Sequence, residues 1–205
     1  MVNLIDIKKS YDTHNILNGI NINIKQGDVF GIIGINGVGK TTLLKIILNK
    51  TNFEGRVLID GIPNYTYLKN NSNKIVYLPD TSFLYDFLTG IEFIMFIMDM
   101  QKIPFNKVKN KVDLLFKLFD LTDSKNQIIK EYSLGMKRKL SLITVLIQSP
   151  NILILDEPVT GVDIRSLIIF KKLLEKLSKN GTTIILTTHI IDLIENMCNS
   201  VAILH

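Results

Sequence analysis

The sequence predicts an α/β fold: a parallel sheet with helices on both faces, and a helical block inserted partway along the chain. Three observations lead there. The runs "VFGIIG", "ILILD", "TTIILTT" and "VAIL" are apolar almost throughout, as strands are when both faces of a sheet are covered. The stretch "GIIGINGVGKTTLLKIIL", Gly31 to Leu48, sets four glycines and a lysine between two aliphatic runs, the pattern of a strand, an anion-wrapping loop and a helix. From about Phe83 to Ser149 the apolar residues recur with helical spacing.

At the N-terminal end, "VNLIDI" and the alternating stretch Ile16–Ile24 read as strands, followed by "VFGIIG", "RVLID" and "KIVYL". In "LTGIEF", Thr89 is the expected N-cap with Glu92 three residues on, a capping box. The helix it opens should end before Pro104. The next helix is expected over Asn106–Leu121, with Val108, Val112, Leu115 and Phe119 on one face and lysines opposite. Of Phe83, Leu84, Tyr85, Phe87, Phe93, Met95, Phe96 and Met98, most are expected in the core of this block and the rest at an exposed site. After "ILILD", Ile164–Lys179 reads as a helix, with Glu175 four residues before Lys179 and Gly181 following its C-cap region.

At 205 residues the chain suffices for one full core with an inserted subdomain. With 46% hydrophobic residues it should fold. No apolar run approaches bilayer-spanning length; "IEFIMFIMDM" is short and carries Glu92 and Asp99. "MVNLIDIKKS" lacks the long apolar stretch of a secretion signal. Cys198, the one cysteine, has no partner for an internal disulfide, which fits a reducing, cytoplasmic setting. The net charge of +5 comes from lysines scattered among acids, as in "KKLLEKLSKN", and "MKRK" is too short for a basic arm. No nucleic-acid partner is therefore expected.

Gly34–Thr41, "GINGVGKT", matches G-x-x-x-x-G-K-[ST]. Gly34, Gly37 and Gly39 let the backbone curl until successive N–H groups point inward. The expected phosphate-binding residues are Asn36, Gly37, Val38, Gly39, Lys40, Thr41 and Thr42. Lys40 reaches the β and γ phosphates, the following helix adds its positive end, and the Thr41 hydroxyl is a ligand for Mg²⁺. Chance yields this pattern at about 10⁻⁵ to 10⁻⁴ per position, under about 1% over the chain, so incidental glycines account for it poorly.

The second element is "NILILDEP". Asp156 closes an apolar strand and so lies at the carboxyl edge of the sheet, where ligands of open α/β sheets bind. Its expected role is to hold Mg²⁺ through water. Glu157, next in line, can orient and deprotonate an attacking water. The competing account, an acidic pair capping a helix, is weaker beside a phosphate loop. His189 follows "TTIILTT" at a strand end, a place that favours contact with a γ-phosphate over a structural role.

Four further motifs stand around these two: "YSLGMKRKL" (Tyr132–Leu140), "TGVD" (Thr160–Asp163), "TTH" ending at His189, and Tyr11 after "IKKS". In this order the six resemble the nucleotide-binding subunit of ABC transporters over essentially the whole chain. The resemblance implies a P-loop NTPase fold, with a RecA-like parallel sheet core, an antiparallel β subdomain and an inserted helical subdomain. One nucleotide-binding domain would then cover 1–205, with its core in 1–79 and 150–205 and the helical subdomain at about 80–149. ATP and Mg²⁺ are the implied ligands, with Glu157, His189 and Lys40 catalytic and Tyr11 stacking on adenine, although Tyr11 could equally pack against a strand. "YSLGMKRKL" resembles the LSGGQ signature, whose serine and glycine, Ser133 and Gly135 here, are implied to act on ATP held by a second copy. A dimer, of identical or similar domains, would sandwich two ATP. The three arginines, Arg56, Arg138 and Arg165, include none placed as an arginine finger. Asp163 could cap the next helix, bridge the dimer, or both. Separate transmembrane permease subunits and a peripheral place on the cytoplasmic face of the membrane are also implied.

The chain departs from the family pattern. Leu134 and Met136 stand where LSGGQ has glycine and glutamine. Asp80, in "VYLPDTSFLYDFLTG", stands where transporter ATPases usually carry glutamine. As a third metal-site residue beside Thr41 and Asp156, a carboxylate about 6 Å from Asp156 would cost roughly 3 kcal/mol at an effective dielectric near 20, before Mg²⁺ compensates. One reading is therefore a steep Mg²⁺ requirement; the other, of equal weight, is a turn cap after Pro79. An acid here, with "SLGMK", resembles bacterial exporters of the bacitracin-resistance and lantibiotic-immunity branch. The expectation is an ATPase driving a drug or peptide exporter; the alternative is a soluble ABC-type ATPase acting on nucleic acid or translation.

Overall fold

Residues 1–71, 74–81, 83–190 and 197–205 are described by the computed structural model of the chain. They divide between two units. The first comprises Met1–Tyr77, Pro150–Glu157 and Glu175–His205; the second comprises Leu78–Ser149 and Pro158–Leu174.

The first unit opens with two long strands, β1 (Val2–Tyr11) and β2 (His14–Ile24). They pair antiparallel, Val2 opposite Ile24 and Tyr11 opposite His14. β3 (Val29–Ile33) then leads into helix α1 (Lys40–Ile47). β4 (Glu54–Ile59) and the short β5 (Ile62–Pro63) complete an antiparallel sheet in the order β2-β1-β4-β5. Helix α2 (Asn64–Asn70) follows. Its buried Asn64 donates to the carbonyls of Ile46 (2.9 Å) and Ile47 (3.2 Å). Those carbonyls lie in the last turn of α1, where Ile46 also accepts from the Asn49 N–H at 3.0 Å.

The second sheet is built from β3, β6 (Ile75–Leu78), β7 (Ile152–Asp156), β8 (Thr183–Thr188) and β9 (Ser200–Ile203), in the order β6-β7-β8-β3-β9. β7 and β8 are buried at every position, as their continuous apolar sequences require. The pairings of β3 with β8 and β9, and of β7 with β8, are parallel. Ile7, Ile24, Leu43, Leu44, Ile59, Ile154 and Ile185, each fully buried, form one core beneath both sheets.

The second unit holds α3 (Gly90–Met100), α4 (Phe105–Leu118), α5 (Leu134–Ile147) and most of α6 (Ile164–Lys179), whose last turn from Glu175 belongs to the first unit. The capping box forms as expected: Thr89 accepts from the Glu92 N–H (3.3 Å), and Glu92 accepts from the Thr89 N–H (2.8 Å). α3 ends at Met100, before Pro104. α4 closes three residues before the expected Leu121. Asp120 takes φ +57, and the N–H groups of Asp120 and Leu121 return to the carbonyls of Lys117 (3.2 Å) and Phe116 (2.8 Å). That is a Schellman turn with aspartate in the usual glycine position, so the apolar pattern runs past the helix end.

The expectation for the aromatic and methionine residues of this block needs correction. Phe93 and Met98 are buried and Leu84 is half-buried, but Phe83, Tyr85, Phe87, Met95 and Phe96 are exposed. The buried face of α3 is Gly90, Phe93, Ile94 and Met98, which leaves Met95 and Phe96 opposite. Phe83, Tyr85 and Phe87 precede the helix, where helical spacing has no meaning. Tyr85 packs edge-on against Phe96, with ring centroids 5.4 Å apart. Among the described residues, no helix is long and apolar enough to cross a membrane.

Removing the capping box should be measurable. Thr89→Ala is expected to cost about 1 kcal/mol, read as a lowered urea midpoint at unchanged slope.

Candidate functional site

The phosphate loop lies between β3 and α1, and its conformation selects glycine. Gly39, the N-cap of α1, has φ +110, and a Cβ there would meet Ile16 Cγ2 at 2.9 Å and Leu17 Cδ2 at 3.1 Å. Gly34 is hemmed in otherwise: a Cβ would lie 2.6 Å from Val38 Cγ1 and 2.9 Å from the Leu204 carbonyl. Ile35, Asn36 and Gly37 are exposed, while Val38 and Thr42 are half-buried. Lys40 is 6% exposed, and its Nζ donates to the carbonyls of Gly34 (2.6 Å) and Ile35 (3.2 Å). The lysine thus points back into its own loop.

β7 delivers the acids to the same unit. Asp156, 2% exposed, accepts from the Thr41 hydroxyl at 2.7 Å through Oδ2 and from the Thr187 hydroxyl at 2.6 Å through Oδ1. Glu157 has φ +45, a left-handed conformation uncommon outside glycine, asparagine and aspartate. Its N–H donates to Thr187 Oγ1 at 3.1 Å. Its carboxylate lies 3.3 Å from Lys40 Nζ and 3.0 Å from His189 Nδ1. Lys40, Thr41, Asp156, Glu157 and His189, assigned from separate motifs, therefore meet. Thr187 joins them without having been singled out. Strand register, which the sequence alone does not give, sets it beside Asp156.

Thr41 and Asp156 offer a hydroxyl and a carboxylate side by side. These are hard oxygen donors, the ligand type Mg²⁺ takes alongside phosphate oxygens and water, so the residues fit that ion. Tyr11, 44% exposed, is at the end of the β1–β2 hairpin with Lys9 Nζ 4.6 Å from its ring centroid. Hydrogen bonding with Thr51, and to a lesser degree Thr42, holds its hydroxyl pKa below the ordinary tyrosine value.

Ser133, Gly135, Asp163 and Asp80 belong to the second unit. Ser133 caps α5, accepting from the Met136 N–H at 3.2 Å. A Cβ on Gly135 would stand 3.2 Å from the Gly161 carbonyl, so the backbone of "SLG" lies close against that of "TGVD". Asp163 caps α6 through the Ser166 N–H (2.8 Å) and hydroxyl (2.9 Å), and pairs with Lys139 at 2.7 Å. The Lys139 ammonium and the Ser166 N–H hold its carboxyl well below the usual range, at about 2. Asp80 is exposed, and its carbonyl accepts from Arg138 Nη1 at 2.9 Å. Arg138 and Lys139, both on α5, organise this unit; the sequence placed them in "YSLGMKRKL" and in a short basic cluster, without these contacts.

The family described as ABC transporter matches residues 17–160. The chain belongs to the ABC transporter family. The cassette binds ATP and is an ATPase. It is similar to the ABC transporter ATP-binding protein NatA of Bacillus subtilis, at 29% identity over all of this chain and 86% of NatA. It is also similar to the bacitracin transport ATP-binding protein BcrA of Enterococcus faecalis, at 30% identity over 98% of this chain but 65% of BcrA. Among solved structures it resembles a dimeric ATP-binding cassette in a post-hydrolysis state with ADP and Pi. That likeness has 25% identity and a TM-score of 0.85, over 100% of this chain and 94% of the other.

The Asp163 pair gives a pH test. Asparagine caps helices as well as aspartate, so Asp163→Asn isolates the charge. Because Asp163 is half-exposed, the difference should be small, about 0.5 kcal/mol after solvent screening. Its folded pKa is depressed, so the stabilisation is fully present above the ordinary aspartate value near 4 and fades as pH falls toward about 2. Urea midpoints of the two proteins should converge over that window and stay apart at pH 5.

Proposed function

We propose that this cassette drives a bacterial exporter of a drug or peptide. Two copies, or this copy and a similar domain, close around two ATP, and separate permease subunits carry the cargo across the membrane from its cytoplasmic face. The observation that supports the chemistry is the setting of Glu157, between Lys40 and His189 and one residue beyond the Thr41–Asp156 hydrogen bond.

In this reading Glu157 takes a proton from a water whose oxygen forms a bond to the γ-phosphorus. The bond from that phosphorus to the bridging oxygen breaks, and ADP leaves with the electron pair. Lys40 exchanges its loop carbonyls for β and γ phosphate oxygens, and the N–H groups of residues 36–42 donate to the same anion. His189 steadies Glu157 and reaches the γ-phosphate. Mg²⁺, when bound by Thr41 and Asp156, neutralises charge on the phosphates. Tyr11 stacks on the base. The Ser133 hydroxyl and the N–H groups near Gly135 serve the ATP of the other copy, as preorganised donors in place of an arginine finger. The exposed Phe83, Tyr85 and Phe87 are proposed to receive a helix of the permease. The similarity to a bacitracin transport protein supports the class of cargo.

Glu157→Gln should lower turnover by about 10²–10⁴-fold, or roughly 3–5 kcal/mol of barrier, while ATP still binds. The stalled protein should then sediment as a dimer with MgATP; a strict monomer, also beside its permease, would remove the shared-site mechanism. Asp80→Gln tests the acidic substitution: its rate should saturate at lower Mg²⁺ than wild type, and superimposable titrations would reject a metal role for Asp80.

A further inference from the structure

We propose that Arg138 is a positioning residue for the ATPase reaction, holding together the two stretches of chain that follow Tyr77 and Glu157. Arg138 is on α5, five residues past Ser133, and 4% exposed. Its Nε donates to the Pro158 carbonyl at 2.9 Å. Its Nη1 donates to the carbonyls of Pro79 at 3.1 Å and Asp80 at 2.9 Å. Pro158 is the residue after Glu157, and Asp80 is the acidic position already discussed. Both prolines lie just inside the second unit, at two of the points where the chain enters it.

The residue type matches the task. A buried charge is costly unless its donors are satisfied. Guanidinium carries five N–H donors in a rigid plane, so it can hold acceptors from two separate segments at once, whereas an ammonium presents three donors from one point. Proline lacks an N–H and fixes φ, which leaves its carbonyl as the available backbone handle and makes each stretch stiff. One side chain thus joins the helix capped by Ser133, the backbone of Asp80, and the peptide that follows Glu157. A displacement of α5 when Ser133 engages nucleotide would be carried to both stretches together. This inference rests on the proposed roles of Ser133 and Glu157.

The test uses Arg138→Met, which keeps length and packing and removes the donors, with Arg138→Lys beside it. Affinity for MgATP should stay within about threefold, because the phosphate loop is untouched, while kcat per folded cassette falls at least about tenfold. Lysine should recover part of that loss. A folded methionine variant with wild-type kcat would overturn the proposal, as would equal losses of affinity and kcat. A wild-type protein without turnover would instead refute the hydrolytic reading. Should neither variant fold, hydrogen exchange of the wild type decides. Peptides covering 78–81 and 158–163 should change protection together when a non-hydrolysable ATP analogue is added, and a change in one alone would overturn the proposal.

Discussion

The nucleotide side of this cassette depends on the register of three parallel strands. β7 and β8 pair Asp156 with Thr187, and β8 and β3 pair Thr188 with Ile33. The three strands therefore finish on one edge, at the phosphate loop, the acidic pair and the approach to His189. Parallel neighbours need long crossovers, so groups that touch here are distant in sequence: Asp156 and Thr187 lie 31 residues apart, and Thr41 and Asp156 lie 115 apart. A slip of one residue in β7 would turn Asp156 to the opposite face of the sheet. The buried aliphatic side chains on both faces oppose that slip, so the same packing that stabilises the sheet fixes the geometry of its polar rim.

In the second unit the organiser is a helix. α5 presents Ser133 at its start, allows close approach of the "TGVD" backbone at Gly135, and sends Arg138 and Lys139 to neighbouring segments. Lys139 reaches the aspartate that caps α6, so the two helices that frame this region share one charge pair. Asp163 could cap the next helix, bridge the dimer, or both; the cap forms within a single chain, beside the ion pair to Lys139.

Much of this was legible because local physics dominates where it was read. The four apolar runs became β3, β7, β8 and β9, and the Thr89–Glu92 signal became a capping box, since burial on two faces and a three-residue reach are written in sequence. The phosphate loop was legible because few conformations place three glycines and a lysine at that spacing. Thr187, Asn64 and Arg138 were not, because each acts through a partner distant in sequence, supplied by strand register, by the end of α1 or by two carbonyls. The aromatic residues around α3 misled for another reason. Hydrophobicity reports the free energy of leaving water, not which surface receives the side chain. A helix end set by an aspartate in the left-handed region, as at Asp120, likewise escapes a search for glycine.

The backbone at Glu157 carries one more implication. A non-glycine residue in that region costs on the order of 1 kcal/mol, whereas glycine or asparagine would sit there more easily. Replacing Glu157 by glycine or asparagine would thus relieve the backbone while removing the carboxylate, so under the role proposed for it the sturdier protein would be one that holds nucleotide without consuming it.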